Sequence, residues 1–496
     1  MSTGAGLPDK PRLKRSGHTP KVGIVHLGPG AFFRGFNAVY TDEATELAGG
    51  DWGIVAVSLR SPTARDQLKP QGNVFTSVTL APEGWEPRII HSIAQTLVAP
   101  EDPQAVVAAM ADPNIKIVSL TITEKGYCTQ PSTGELDLEH ADIAHDLLHP
   151  DQPKSAVGFI VAALDARRTA GVKPFTVLSC DNLPSNGALA RAIVLEFARQ
   201  RNGELADWIA RTTTFPATMV DRITPATTND DIAKLADITG YDDQACVFHE
   251  GFRQWVIEDD FVEGRPAWDM IGAKMVASVA AHEMMKLRCL NGTHSTLAYL
   301  GYLAGYDTIA QTVADPDFEV LCNTLWRDEI IPTLKQPDGE DLSAYCAALM
   351  ARYKNTAIRH RTWQIAMDGS QKLPQRLLGT IADDLNMGCD PKGLALAVAG
   401  WMRYVGGQDE NGGPIDVRDP LALALKNASE GAKTNADKVS ALLAFHDIFP
   451  STLAVDHRFC DLVTKAYGGI AEGGAKAAVR ALRIETEARA KQQAHK

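Results

Sequence analysis

The run Val22-Gly23-Ile24-Val25-His26-Leu27-Gly28-Pro29-Gly30 decides the fold. A short apolar segment rich in β-branched residues and closed by glycine reads as a strand buried on both faces. A helical segment follows from about residue 32 to residue 47, so Gly28-Pro29-Gly30 lies where a dinucleotide's pyrophosphate meets backbone N–H groups at the start of a helix. Gly28, Gly30, Ala31, Phe32 and Arg34 are therefore the candidate cofactor-side residues. The third glycine of the usual fingerprint is absent, because Phe33 stands in its place, and a plain strand-to-helix turn stays open at this point.

Residues 53–58, 117–122 and 175–179 repeat the same texture, with helix-like segments between several of them. Strands alternating with helices predict an α/β fold, a Rossmann-type doubly wound parallel sheet, over residues 1–280. Beyond about Trp268 long helical patterns such as 281–305 and 341–354 take over, which predicts a mostly α-helical C-terminal domain over residues 281–496. The second strand ends in Ser58-Leu59-Arg60-Ser61, without the acid that grips the adenosine ribose hydroxyls. Arg60 either faces a 2′-phosphate or is a solvated loop cation.

At 496 residues and 45% apolar composition the chain supports two cores of ordinary size. Its formal net charge of -12, without a long Lys/Arg run, excludes the footprint of a nucleic-acid binder and leaves small molecules as partners. Eight cysteines are scattered singly, without paired spacing for a structural zinc, and read as reduced thiols of a cytoplasmic protein. The first twenty residues, with Lys10, Arg12, Lys14 and Arg15, read as a flexible arm rather than a secretory signal. No apolar run approaches the roughly 18–20 residues that span a bilayer. Residues 476–496 read as a polar, alanine-rich helix with a fraying end.

The chemistry concentrates in Ala281-His282-Glu283-Met284-Met285-Lys286-Leu287-Arg288-Cys289-Leu290-Asn291-Gly292-Thr293-His294. Taken as one helix at about 100° per residue, Glu283, Lys286, Asn291 and His294 fall within an arc of roughly 140°. Carbonyl reduction needs a proton carrier, a neutral donor for the oxyanion and a group that orients the substrate. Lys286 fits the first, Asn291 the second and His294 the third, with Glu283 placed to pair with the lysine or relay its proton. The same spacing is met by a surface helix with a Glu–Lys pair and a capping asparagine. His249 and His282 read as structural or exposed histidines.

The lysine, the asparagine five later and the histidine three after that resemble the mannitol dehydrogenase family of long-chain polyol and hexuronate dehydrogenases. The resemblance runs from Ile24-Val25-His26-Leu27-Gly28 through Thr121-Ile122-Thr123-Glu124-Lys125-Gly126-Tyr127-Cys128 to residues 397–405. It implies a nicotinamide-dependent dehydrogenase without metal, with NAD as cofactor and NADP left open by Arg60, and a monomer or homodimer. It also implies that Asn182, in Ser179-Cys180-Asp181-Asn182, joins Asn291 around the carbonyl oxygen, and that Asp221, in Met219-Val220-Asp221-Arg222, lies on the substrate side.

Arg352, Lys354, Arg359, His360, Arg361, Lys372 and Arg376 cluster in a stretch whose single acid is Asp368. A spare cation there suits a substrate carboxylate, and a solvated basic face is the alternative. Residues 359–372, with 252–259 and 284–288, resemble the fructuronate reductases of the family. That implies reduction of D-fructuronate to D-mannonate, with Lys372 on substrate hydroxyls and Arg361 the candidate for the carboxylate. The alternatives are oxidation of mannitol to fructose and, outside enzymes, a non-catalytic dinucleotide-binding sensor.

Overall fold

The computed structural model describes residues 10–81, 83–130 and 133–493. It divides into two compact units, residues 1–280 and 281–496.

The first unit has at its centre a parallel sheet of β1 (Val22–Leu27), β2 (Gly53–Ser58), β5 (Ile93–Val98), β6 (Ile117–Leu120) and β7 (Thr176–Ser179), ordered β5-β2-β1-β6-β7. This is the Rossmann-type doubly wound order, in which the direction of strand succession switches at the β1/β6 junction while all five strands stay parallel. The apolar runs are continuous because alternate residues face two cores: Val25, Leu27, Val55 and Val57 enter one, and Ile24, Ile54 and Ala56 the other. A hairpin of β3 (Phe75–Ala81) and β4 (Gly84–Ile90) pairs with β9 (Val247–His249), while β10 (Gln254–Glu258) lies between β8 (Thr218–Asp221) and β11 (Lys274–Val276).

Two expectations are corrected here. The helix expected at 32–47 is broken at Phe36 (φ -134°, ψ -83°) into Ala31–Gly35 and Asn37–Ala48. The carbonyl of Gly35 accepts instead from Arg222 Nη1 at 2.7 Å, and the Phe36 ring packs among Tyr40 and Trp255. The expected N-terminal arm is packed over its described part: Leu13 is buried, and Arg15 donates to the carbonyls of Gly72, His91 and Ile93 along the sheet edge. Residues 1–9 lie outside the described residues.

The second unit is helical, built around Lys392–Val405, whose side chains are nearly all buried and which packs on the long helix His457–Gln493, kinked at Gly474. Residues 494–496, the last of the expected fraying end, lie outside the described residues. The stretch expected as one helix over 281–305 is three segments: α-helical Ala280–Met285, a π-helical Lys286–Gly292 and α-helical Thr293–Leu303. Carbonyls of this segment also take donors from the side, that of Cys289 from Trp326 Nε1 (2.9 Å) and Thr293 Oγ1 (2.6 Å), that of Leu290 from the Tyr353 hydroxyl (3.0 Å).

The start of Lys392–Val405 is held by the Glu329 carboxylate, which accepts from the N–H groups of Gly393 and Leu394, both at 2.8 Å. Burial nevertheless pushes the Glu329 carboxyl up to about 8 and that of its neighbour Asp384 to about 7. Because both are raised above their unfolded values, they stabilise the fold below the ordinary carboxylate range, and that contribution is lost as pH rises through about 8. The melting temperature is expected to fall by about 5 °C between pH 6 and pH 9, and Glu329→Gln to flatten the slope, read by scanning calorimetry. An unchanged slope in the variant excludes Glu329 as its source.

Candidate active site

In the first unit an open cleft of about 560 Å³ lies at the carboxyl ends of β1, β2 and β6, lined by Gly28, Pro29, Gly30, Ala31, Arg34, the Ser58–Ser61 turn and the loop after β6. Gly28 has a left-handed backbone (φ +94°), donates to the Val57 carbonyl at 3.0 Å, and would carry a Cβ 2.2 Å from the Thr121 carbonyl oxygen. Gly30 is the N-cap of Ala31–Gly35, and a Cβ there would meet nothing closer than 4.0 Å. A bare backbone and an open face at the strand ends are what a pyrophosphate requires, so the residues fit a dinucleotide.

Arg34 is buried, and its Nη1 donates to the Pro29 carbonyl at 2.7 Å, so it braces the glycine loop while also lining the cleft. Phe32 stacks on Phe36, 5.0 Å between centroids, and is not among the residues lining the cleft. Phe33 lies flat on His26, 3.6 Å between centroids, a ring stack where the fingerprint glycine gives close backbone packing. His26 bridges Ser119 and Thr121, and burial lowers it to about 3. Arg60 lines the cleft but is paired to Asp142 at 2.5 Å.

Asn182 follows β7 and is exposed, whereas its neighbour Asp181 is buried and accepts from the N–H groups of Ile122 and Thr123 and from the Tyr127 hydroxyl. Asp181 thereby ties the loop after β6 to the end of β7. Asp221 ends β8 and is buried.

In the second unit the amine-bearing Lys286 is buried (8% exposed) at the first position of the π-helical segment, with Asn291 half-buried near its end and His294 buried (8%) just beyond. In an α-helix residues five apart lie about 140° apart. A turn that takes on about one more residue swings Asn291 toward the face of Lys286, so the widening draws the two together. Glu283 is half-buried one turn earlier.

The His294 ring stacks on Tyr353 at 5.4 Å and meets His360 edge-on at 4.5 Å. Burial, then His360, Arg376, Arg352 and Lys372, hold His294 well below its usual range, so its imidazole is neutral. Lys372 Nζ donates to the Ile365 and Met367 carbonyls, and burial followed by Arg376 lowers it to about 8. Arg361 is exposed at the N-cap of Thr362–Ile365, while Arg376, from the same basic stretch, turns inward and donates from Nη1 to Ser295 Oγ at 3.1 Å. Charge alone could not separate the two in the sequence. His249 and His282 are buried, the former bonded to Ser77 and the latter 3.6 Å from Glu340.

Among the described residues no three metal-ligating side chains converge, and no helix is long and apolar enough to cross a membrane.

Residues 22–270 match the mannitol dehydrogenase Rossmann domain and residues 278–471 the mannitol dehydrogenase C-terminal domain. The chain is 49% identical to the D-mannonate oxidoreductase of Escherichia coli (strain K12) over 92% of this chain and 95% of that one. It is 38% identical to the mannitol 2-dehydrogenase of Phaeosphaeria nodorum over 95% and 82%. The structure of Pseudomonas fluorescens mannitol 2-dehydrogenase, a ternary complex with NAD and D-mannitol, superposes with a TM-score of 0.83 at 39% identity, covering 96% of this chain and 97% of that one. With both of its domain signatures present in order, the chain belongs to the mannitol dehydrogenase family and is a dehydrogenase acting on CH–OH groups.

Proposed function

We propose that the protein reduces D-fructuronate to D-mannonate with NAD as its dinucleotide. The observation that carries this reading is the group of cations around His294, Lys372, Arg352 and Arg376, inside a protein of net charge -12. A neutral polyol leaves the charge of such a group uncompensated, whereas a sugar acid's carboxylate pairs with it. The 49% identity to a D-mannonate oxidoreductase over nearly the full length of both chains supports the same choice. NAD is favoured by its presence in the related complex and by Asp142, which already occupies Arg60.

Gly28, Gly30 and Ala31 would hold the dinucleotide's phosphates, and the reduced nicotinamide, when bound, supplies the hydride. Lys286 holds a proton on Nζ and delivers it to the carbonyl oxygen as that oxygen gains charge. The Asn291 amide donates to the same oxygen, and family resemblance gives Asn182 a second such bond. His294, neutral, orients a substrate hydroxyl, as does Lys372, and Asp221 keeps the substrate-side role that the resemblance assigns it. Glu283 passes protons between Lys286 and water.

Loss of reduced-nicotinamide absorbance with D-fructuronate, D-tagaturonate and D-fructose, each with NADH and NADPH, tests the proposal. D-fructuronate with NADH is expected to exceed D-fructose in kcat/KM on the order of 10²-fold or more, because a site built for a charged group rejects its neutral analogue. Equal or better use of D-fructose overturns the substrate, and a preference for NADPH overturns the cofactor.

A further inference from the structure

We infer that Arg376 is the residue that binds the substrate's carboxylate and thereby selects a sugar acid over a neutral sugar. The inference rests on the reading of this site as one for an open-chain sugar acid, and adds which side chain makes the selection.

A guanidinium carries five N–H donors, and a half-buried one ordinarily spends several of them on oxygens. Two buried arginines do so: Arg167 donates to the carbonyls of Met110, Asp112, Ile115 and Lys173, and Arg222 to those of Gly35 and Glu250. Arg288 donates to Thr333 and pairs with Asp383 at 2.6 Å. Arg376 has a single hydrogen bond among the described residues, to the Ser295 hydroxyl at 3.1 Å, and no carboxylate within 4.0 Å. Its planar fork is open to an anion.

The position of that fork is set by backbone packing. A Cβ on Gly292 would lie 2.9 Å from the Arg376 carbonyl oxygen, so the segment carrying Lys286 and Asn291 is pressed against the one carrying Arg376. Ser295, which Arg376 touches, is next in the chain to His294. A carboxylate held bidentately by Arg376 therefore starts an open-chain substrate beside the His294 ring, on the helical stretch that also bears Lys286. The other cations suit the task less well: Lys372 already donates to two carbonyls, and Arg361 is exposed. A hydroxymethyl group in place of the carboxylate leaves the guanidinium unpaired, which is the basis of discrimination.

The test is the ratio of kcat/KM for ketouronate to that for D-fructose in wild type, Arg376→Met, Arg376→Lys and Arg361→Met, with D-mannonate affinity by calorimetry. Arg376→Met is expected to lower the ratio and the D-mannonate affinity about 10- to 100-fold, as loss of a charge-assisted pair does. Arg376→Lys, which keeps the charge without the fork, falls between, and it decides the matter if the Met variant does not fold. Arg361→Met keeps the wild-type ratio. A ratio unchanged in both Arg376 variants overturns the inference while D-fructuronate reduction stands. Wild-type preference for D-tagaturonate, with the same fall in the Arg376 variants, overturns the proposed substrate but upholds Arg376. A wild type that accepts no ketouronate overturns both.

Discussion

Lys286→Ala is expected to lower the rate constant for carbonyl reduction about 10³-fold, within the range that positioned acid–base groups contribute, and to leave dinucleotide affinity unchanged within about twofold. The side chain is buried on a π-helical turn of the second unit, and its removal takes away the proposed proton donor while the residues that line the cleft of the first unit stay as they are. Two further readouts separate a lost acid from a disturbed fold. Small primary amines added to the alanine variant restore part of the rate, because they supply the missing ammonium. Lys286→Arg stays inactive although charge is kept, since a guanidinium does not release its proton in the working pH range. The two directions of the reaction also differ in sign: reduction uses the ammonium form and slows as pH rises, whereas oxidation uses the free amine and quickens. Wild-type turnover in Lys286→Ala would leave the lysine without a chemical role and require another group of this dehydrogenase as the proton donor.

What was legible in the sequence follows from which forces are local. Strands β1, β2, β6 and β7 are buried on both faces, so apolar residues facing either side follow one another closely and the runs stand out. Strand β5, at the sheet edge, has only Ile93, Thr96 and Val98 buried and includes the exposed Gln95, so it carries no such signature. The break at Phe36 was hidden because Arg222, which takes up the Gly35 carbonyl, is 187 residues away. The π-helical turn was hidden for the same reason. Its support comes from Trp326 and Tyr353, 37 and 63 residues from the carbonyls they satisfy, and an α-helical period was the only one the local sequence could suggest. Lys286, Asn291 and His294 could be proposed from the sequence regardless, because residue type and order survive a change of helical pitch. Arg376 and Arg361 show the limit: both are arginines of one basic stretch, and only tertiary packing turns one inward.

Gly28→Ala is expected to cost several kcal/mol of stability and to abolish measurable dinucleotide binding, while Gly30→Ala is expected to weaken binding and leave the melting temperature unchanged. At Gly28 the left-handed φ of +94° costs any L-residue about 1–3 kcal/mol. The added Cβ would also lie 2.2 Å from the Thr121 carbonyl oxygen, in backbone that cannot yield as a side chain could. Overpacking of that kind adds about 1–3 kcal/mol. The relief available is a shift of the loop against β6, which breaks the Gly28 N–H bond to Val57 and moves the turn on which the phosphates would rest. Gly30 has neither liability: its φ is -70°, and a Cβ there points into open space. Its substitution therefore acts on whatever enters the cleft and on nothing else. Denaturant unfolding of the two variants, set beside titration with the reduced dinucleotide, gives a two-by-two outcome. Loss of binding in Gly30→Ala at full stability identifies this face of the turn as the one that receives the phosphates. Full binding in Gly30→Ala would remove the turn from the dinucleotide site, and wild-type stability in Gly28→Ala would mean that the loop accommodates the collision without moving β6.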